Sequence, residues 1–206
     1  MIKSRVNTEW ASVRLGIIFS HIGLSPNSWT LLSIVPSVAG FILLVKGNLL
    51  ASLVCFLVAG LLDAVDGAVA RVTGAVTKYG GFLDGIVDRY VEILLYLGLG
   101  FNLAGQETPF MPLYAWLVLL VFGATMTSYV RAYADHRRVV TDAEDHKKMG
   151  GLFERGERMT LIYLGLFAGA FDPRYIVYSI VAAAVLSNFT VLQRIVYVRK
   201  KAGGSV

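Results

Sequence analysis

Long apolar stretches separated by short polar segments dominate the chain from residue 25 onward. Most stretches are at least as long as the ~20 residues that a helix needs to cross a bilayer. The pattern predicts an all-α polytopic membrane protein, in which six transmembrane helices form a bundle over residues 25–199 of a single domain, 1–206. The predicted spans cover residues 25–46, 49–72, 79–104, about 109–138 with a polar end, 152–171 and 175–198.

The first 22 residues follow a different pattern, which predicts an amphipathic helix lying in the membrane interface. Apolar residues recur at helical spacing on one face, while basic residues lie elsewhere around the helix, and the segment is too polar to span. The apolar face contains Ile2, Val6, Trp10, Val13 and Ile17, and the basic residues are Lys3, Arg5 and Arg14.

The first span has clear start and bend signals. Ser25 followed by Pro26 is typical of an N-cap with proline at the first helical position. Pro36 lies inside the same apolar stretch and predicts a kink, because proline removes a backbone donor from the helix interior.

Composition agrees with the membrane interpretation. The 206 residues are 56% hydrophobic and only 16% charged, whereas a soluble domain carries about 25% charged residues. The one cysteine, Cys55, lies in an apolar stretch and is interpreted as a small core residue.

Basic residues predict the orientation. Of the 19 lysines and arginines, only Lys46 and Arg174 fall on the side of the loops near residues 47, 107 and 172. By the positive-inside rule both termini are cytoplasmic, in a cell membrane. The net charge of +5 is therefore explained by topology and lipid headgroups, with no nucleic-acid partner.

Four aspartates interrupt the apolar sequence between residues 62 and 90. Asp63 and Asp66 are three residues apart, and Asp84 and Asp88 are four apart, so each pair shares one helix face. Carboxylates at membrane depth are costly unless they are paired or metal-bound. Hard divalent cations take oxygen ligands of this kind, and the cluster therefore predicts a metal site.

The four aspartates belong to a longer pattern of residues at fixed spacing. It consists of Asp63, two residues, Asp66-Gly67, two residues, Ala70-Arg71, eight residues, Gly80, three residues, Asp84, three residues and Asp88. This pattern resembles the signature of the CDP-alcohol phosphotransferase family at every signature position. The resemblance implies a membrane enzyme of phospholipid synthesis that moves a phosphatidyl or archaetidyl group from a CDP-lipid to an alcohol and releases CMP. It also implies a homodimer and an active site on the cytoplasmic side.

The resemblance assigns roles to individual residues. Asp63, Asp66 and Asp84 would bind one or two Mg²⁺ or Mn²⁺ ions, and Asp88 would be the catalytic base and a possible further ligand. The predicted CDP-binding residues are Asn27, Thr30, Asp63, Asp66, Gly67, Ala70, Arg71, Gly80 and Asp84.

Several of these residues also have a purely structural interpretation. Gly67 and Ala70 could form a small-residue packing seam between helices, and Asn27 could simply cap a helix. Thr30 could be an ordinary helix residue, and Arg71 could snorkel to the headgroups.

A second basic set suggests where the acceptor binds. It comprises Lys78, Arg131, Arg155 and Arg158. These residues either pair with Glu154 and Glu157 or bind a phosphorylated acceptor, since arginine matches phosphate geometry. The surrounding segments resemble the family branch that makes phosphatidylinositol phosphate or its archaeal ether-lipid counterpart. That branch usually has a second basic residue where this chain has Tyr133, and the charged loop over 136–151 is longer here.

Inositol phosphate is therefore the leading acceptor, with glycerol phosphate, serine or an inositol-phosphate derivative as alternatives. A cation or proton transporter would also need intramembrane acids, but it would need them near the bilayer midplane. The four aspartates lie toward the cytoplasmic halves of their helices instead. A purely structural helix bundle gives no reason for buried charges.

Overall fold

The computed structural model describes residues 8–203, and its elements there are α-helices. The chain divides after Asn102 into two compact units. The helices are α1 (Thr8–Ser20), α2 (Pro26–Leu32), α3 (Ile34–Val45), α4 (Leu49–Val72) and α5 (Lys78–Asn102) in the first unit, and α6 (Leu113–His136), α7 (Ala143–Lys148), α8 (Arg155–Gly169) and α9 (Arg174–Gly203) in the second.

Helix α4 is central to the first unit and contacts α1, α2, α3 and α5. Its predicted bounds are confirmed, because local signals define both ends. The Asn48 side chain accepts a hydrogen bond from the Ala51 amide at 3.3 Å, which caps the start. At the other end Gly74 has a φ of 67° and the Ala75 amide donates back to the Ala70 carbonyl, as in a Schellman motif.

The first predicted span is two helices rather than one kinked helix. The break lies at Ser33, between α2 and α3, and not at Pro36 itself. Proline at position 36 has no amide hydrogen for the Leu32 carbonyl, so the α-helical ladder is interrupted one turn earlier. The Ser33 carbonyl accepts the Ser37 hydroxyl at 2.8 Å, which satisfies one backbone group near the break.

Helix α1 packs against α4 through a glycine. A methyl group added at Gly16 would lie 2.5 Å from the Ala68 carbonyl oxygen, so the two backbones approach closely. The predicted apolar face is exposed at Trp10, Val13 and Ile17. Its placement in a membrane interface stays a prediction, and Ile2, Lys3, Arg5 and Val6 lie outside the described residues.

The second unit is built on α9, which contacts both α6 and α8. Ile162, Leu166, Ile176 and Ile180 are completely buried in it. The segment predicted as a charged loop contains the short helix α7. Helix α8 begins at Arg155 and has 15 residues, so it is shorter than the predicted span 152–171.

By length and composition, four helical segments in the described residues could cross a membrane: Pro26–Val45, Leu49–Val72, Leu113–His136 and Arg174–Gly203. Helix α5 is 25 residues long but carries charged residues as far as Glu92, and α8 is short. The structure thus confirms the prediction of long apolar helices typical of a membrane protein. The count of six spans stays a prediction.

Replacing Gly16 with alanine should destabilise the first unit, because the added methyl group has no room beside the Ala68 carbonyl. Overpacking of this kind costs ~1–3 kcal/mol. Gly60→Ala is the matched control, because nothing lies within 4 Å of the added carbon and alanine favours the helix by up to ~1 kcal/mol. Thermal unfolding in detergent should show a lower midpoint for Gly16→Ala only. Equal midpoints would contradict the close packing.

Candidate active site

Three of the four signature aspartates converge. One carboxylate oxygen from each of Asp63, Asp66 and Asp84 lies within 4.8 Å of the others. The first two project from one face of α4, and the third comes from α5, which packs beside it. Asp66 is only 7% exposed. Three acidic oxygens at this separation match the ligands that Mg²⁺ and Mn²⁺ prefer, so the donor set fits a divalent cation.

Asp88 lies one helical turn after Asp84 on α5 and is half-buried. Among the described residues, the converging group contains the other three aspartates and not this one. Asp88 is therefore placed next to the metal-ligand candidates without being one of the three that converge, which is compatible with a role in proton transfer. That role stays a prediction.

Thr30 on α2 orients the most buried aspartate. Its hydroxyl donates to Asp66 Oδ2 at 2.5 Å, and the residue is 2% exposed. The predicted N-cap is confirmed: Ser25 accepts from the Ser28 amide at 3.2 Å, which starts α2 and determines where Thr30 lies. Sequence reasoning assigned Thr30 to CDP binding and missed this contact.

A cavity of about 350 Å³ adjoins the aspartates. All of the predicted CDP-binding residues except Asp63 line it, together with Pro26, Ala75, Val76, Thr77 and Gly81. The α4–α5 connection thus forms part of its wall. The structure brings the predicted residues together, while the identity of the ligand stays a prediction.

Two glycines leave room in this cavity. A side-chain carbon at Gly80 would lie 3.1 Å from Thr77 Oγ1 and 3.2 Å from Asn27 Oδ1. At Gly67 it would lie 3.3 Å from Arg71 Nη1. Larger residues would therefore fill the cavity or displace the guanidinium group, which favours the interpretation that these glycines leave room for a ligand.

The Arg71 side chain is held by α1. Its Nη2 donates to Ser12 Oγ at 2.7 Å, across the contact between α1 and α4. Sequence reasoning missed Ser12, because a lone serine on an interfacial helix carries no signature. The bond places the guanidinium group in the wall of the cavity.

A second cavity, of about 700 Å³, lies within the second unit. Three predicted acceptor residues, Arg131, Arg155 and Arg158, all line it. The remaining lining residues are Thr127, Ser128, Ala132, Asp135, His146, Lys147, Glu154 and Arg194. Lys78 is the first residue of α5 in the other unit and lines neither cavity.

Arg194 is a cavity residue that sequence reasoning missed. It is 5% exposed, donates to the Thr127 carbonyl and pairs with Glu154 Oε1 at 3.2 Å. We interpreted its helix as lipid-spanning. A single arginine in such a stretch is costly, and this cost was the signal that could have identified it.

Arg158 is 1% exposed and is the largest fully buried side chain in the described residues. Glu157, the residue before Arg158, accepts a hydrogen bond from the Glu154 amide at 3.1 Å, which caps α8. Tyr133 does not line the cavity, and its ring stacks on Tyr129 with centroids 5.4 Å apart.

Helix α7 is attached to α9 by Asp145. Tyr197 donates its hydroxyl to Asp145 Oδ1 at 3.1 Å, and Lys201 Nζ lies 2.8 Å from Oδ2. The hydrogen bond from Lys201 holds the pKa of Asp145 below its ordinary value, with smaller contributions from Tyr197 and the charge of Lys148.

Similarity to known proteins identifies the family of this chain. The sequence model of the CDP-alcohol phosphatidyltransferase family matches residues 24–191, which include the lining of both cavities except Arg194. The chain belongs to this family.

Two similar proteins are synthases of inositol-phosphate lipids. The chain is 31% identical over 202 residues to the archaetidylinositol phosphate synthase of Pyrococcus horikoshii, covering 97% of this chain and 96% of the relative. It is 33% identical over 180 residues to the phosphatidylinositol phosphate synthase of Corynebacterium glutamicum, covering 86% and 78%.

Solved structures of the phosphatidylinositol phosphate synthase of Mycobacterium tuberculosis are also similar. The structure with CDP-DAG bound is 28% identical with a TM-score of 0.77, covering 91% of this chain and 92% of the relative. The complex with manganese and citrate is 27% identical with a TM-score of 0.79, covering 91% and 88%. This chain is accordingly a membrane transferase of phospholipid biosynthesis.

Replacing Thr30 with valine removes the hydroxyl bonded to Asp66 while it keeps the side-chain shape. Loss of a partner that orients a metal ligand typically costs ~10–100-fold in affinity. We expect Mn²⁺ binding, followed by the electron paramagnetic resonance signal of the free ion, to weaken by this factor. Thr30→Ser keeps the hydroxyl and should bind as the unmodified protein does. Equal weakening in both variants would contradict the role of the hydrogen bond.

The Asp145 contact should be lost at low pH. Because its folded pKa lies below the ordinary value of about 4, the contact contributes fully above that value and is lost as the pH falls through the lower, folded pKa. Above this transition, hydrogen exchange of the α7 amides should therefore be slower in the unmodified protein than in Asp145→Asn, and the two exchange rates should become equal below it. An acid-dependent loss of protection that persists in Asp145→Asn would contradict this assignment.

Proposed function

We propose that the protein transfers a phosphatidyl or archaetidyl group from a CDP-lipid to a hydroxyl of a polar, phosphorylated acceptor, with inositol phosphate as the leading candidate, and releases CMP. One observation carries the proposal: the chain has a carboxylate-lined cavity built from the family signature and a separate cavity lined by arginines. A nucleotide pyrophosphate with its metal suits the first, and a phosphorylated alcohol suits the second.

The donor would bind along the α2, α4 and α5 surfaces. Asp63, Asp66 and Asp84 would hold one or two Mg²⁺ or Mn²⁺ ions, while Asn27 and the backbone at Gly67 and Gly80 would contact the nucleotide. A bound divalent cation neutralises charge on the pyrophosphate. The Arg71 guanidinium, held by Ser12, would contact a pyrophosphate oxygen.

The reaction is a displacement at the phosphorus that bears the lipid. The acceptor oxygen forms a bond to that phosphorus, the bond to the CMP oxygen breaks, and the hydroxyl proton goes to Asp88. Asp88 suits this role because it lies one turn from Asp84 on the same helix, and a base must reach the attacking oxygen.

The acceptor phosphate would bind in the second cavity. Arg131, Arg155, Arg158 and Arg194 supply donors that match phosphate geometry. The names of the similar enzymes in Pyrococcus and Corynebacterium favour inositol phosphate. Glycerol phosphate also carries a phosphate group and remains an alternative. Serine carries no phosphate, so a cavity lined by several arginines favours it less. Lys78 stays a predicted contact.

Six spans, a cell-membrane location with cytoplasmic termini and active site, and a homodimer complete the proposal. The transporter alternative is not favoured, because Asp63 and Asp66 lie in the second half of α4, toward its C-terminal end. Converging carboxylates at one end of a helix pair suit a substrate site.

The decisive assay is CMP release by purified protein with a CDP-lipid and Mg²⁺ or Mn²⁺. Inositol phosphate, glycerol phosphate, serine and inositol are offered separately, and we expect release with inositol phosphate. Asp88→Asn should lower the rate by ~10²–10⁴-fold, as expected for loss of a general base.

Asp172→Asn is the matched control. This aspartate lies at the turn before α9 and pairs with Arg174 at 2.6 Å, away from either cavity lining. It should retain activity, since exposed ion pairs contribute little. Absence of CMP with every acceptor, from protein that binds Mn²⁺, would contradict the proposed reaction, and release with glycerol phosphate alone would correct the acceptor.

A further inference from the structure

The segment after α6 is anchored and forms a wall of the second cavity. Val140 and Met149, on either side of α7, are buried with Ala134 in one apolar cluster, against which Tyr197 and Val198 of α9 pack. Burial of this apolar surface holds both ends of the segment against α6 and α9. A segment that the sequence predicted as a charged loop therefore has a defined position.

Asp145 adds a polar anchor on the side of α7 that faces α9, through Tyr197 and Lys201. Successive helical residues point in different directions, ~100° apart. With Asp145 turned to α9, His146 and Lys147 line the cavity. Lys148 does not, and it pairs with Glu144 on the exposed side at 3.7 Å.

The charges in the cavity are unequal. Five lining residues are lysine or arginine, and two are acidic. Both acids are engaged, since Glu154 pairs with Arg194 at 3.2 Å and Asp135 Oδ1 lies 3.1 Å from His146 Nε2. Within residues 8–203, no ion pair involves Arg131 or Lys147. Cations gathered in one concavity without matching acids favour an anionic ligand.

We infer that α7 is a fixed wall of the acceptor site, positioned by Asp145, and that Lys147 on this wall is a specificity-determining residue that contacts the phosphate of the acceptor opposite the arginines. This inference rests on the proposed function and names a recognition residue for it. The ligand chemistry is a phosphate monoester, which a soluble acceptor or an anionic lipid headgroup could supply.

The test compares Lys147→Gln with its neighbour Lys148→Gln. In the CMP-release assay, Lys147→Gln should raise KM for inositol phosphate about tenfold, as expected for loss of one charge-assisted contact. The KM for CDP-lipid and kcat should change less than twofold. Lys147→Arg should restore most of the affinity, and Lys148→Gln should match the unmodified protein. Equal KM values for the two glutamine variants would overturn the inference.

Asp145 is a positioning residue, and a double-variant comparison tests this role. Asp145→Asn alone should raise KM for the acceptor. In the Lys147→Gln background the same substitution should change KM little further, because Asp145 acts by positioning Lys147. Full additivity of the two effects would show that Asp145 acts only on stability and would overturn the positioning role.

Calorimetric binding of inorganic phosphate separates this inference from the proposed function, because it needs no turnover. Phosphate should bind about tenfold more weakly to Lys147→Gln than to Lys148→Gln, even if none of the offered alcohols reacts. Vesicles containing an anionic lipid distinguish the two sources of phosphate. If Lys147→Gln weakens vesicle binding while phosphate binding is unchanged, the lysine contacts lipid and the inference is wrong.

Discussion

The convergence of three carboxylates from two packed helices is the constraint on which the first unit depends. Like charges at this separation repel strongly in an apolar surrounding, and a divalent cation is the group that relieves the repulsion. The neighbouring features support that arrangement. Thr30 donates to Asp66, small residues at positions 67 and 80 leave room for a ligand, and α1 holds Arg71 at the edge of the cavity.

The second unit shows the opposite electrostatic arrangement. Arginines are gathered around one cavity, and the buried Arg158 and Arg194 are kept there by helix packing. Burial of such groups is costly unless they are paired or bind an anion. Glu154 compensates part of the charge, and α7 adds Lys147 on its own wall. In the proposed function, a phosphorylated acceptor would provide the missing negative charge, and the two cavities would hold the two substrates of one transfer reaction.

Local signals explain how well the helices could be predicted. Helix α4 has its predicted bounds because Asn48 caps its start and Gly74 ends it. The break at Ser33 was missed because the effect of proline falls on the carbonyl one turn earlier. The segment 136–151 was predicted as a charged loop because few of its residues are apolar. Those that anchor it, such as Val140 and Met149, pack partly against α9, which is distant in the chain.

The sequence by itself determined the family, the membrane class and the spacing of the aspartates, because helical periodicity and a fixed signature are local properties of the chain. Only the tertiary structure decided which groups meet. The Thr30–Asp66 bond joins residues 36 apart, and Arg194 reaches the Thr127 carbonyl across 67. Contacts of this kind depend on how helices pack, and no local pattern specifies them.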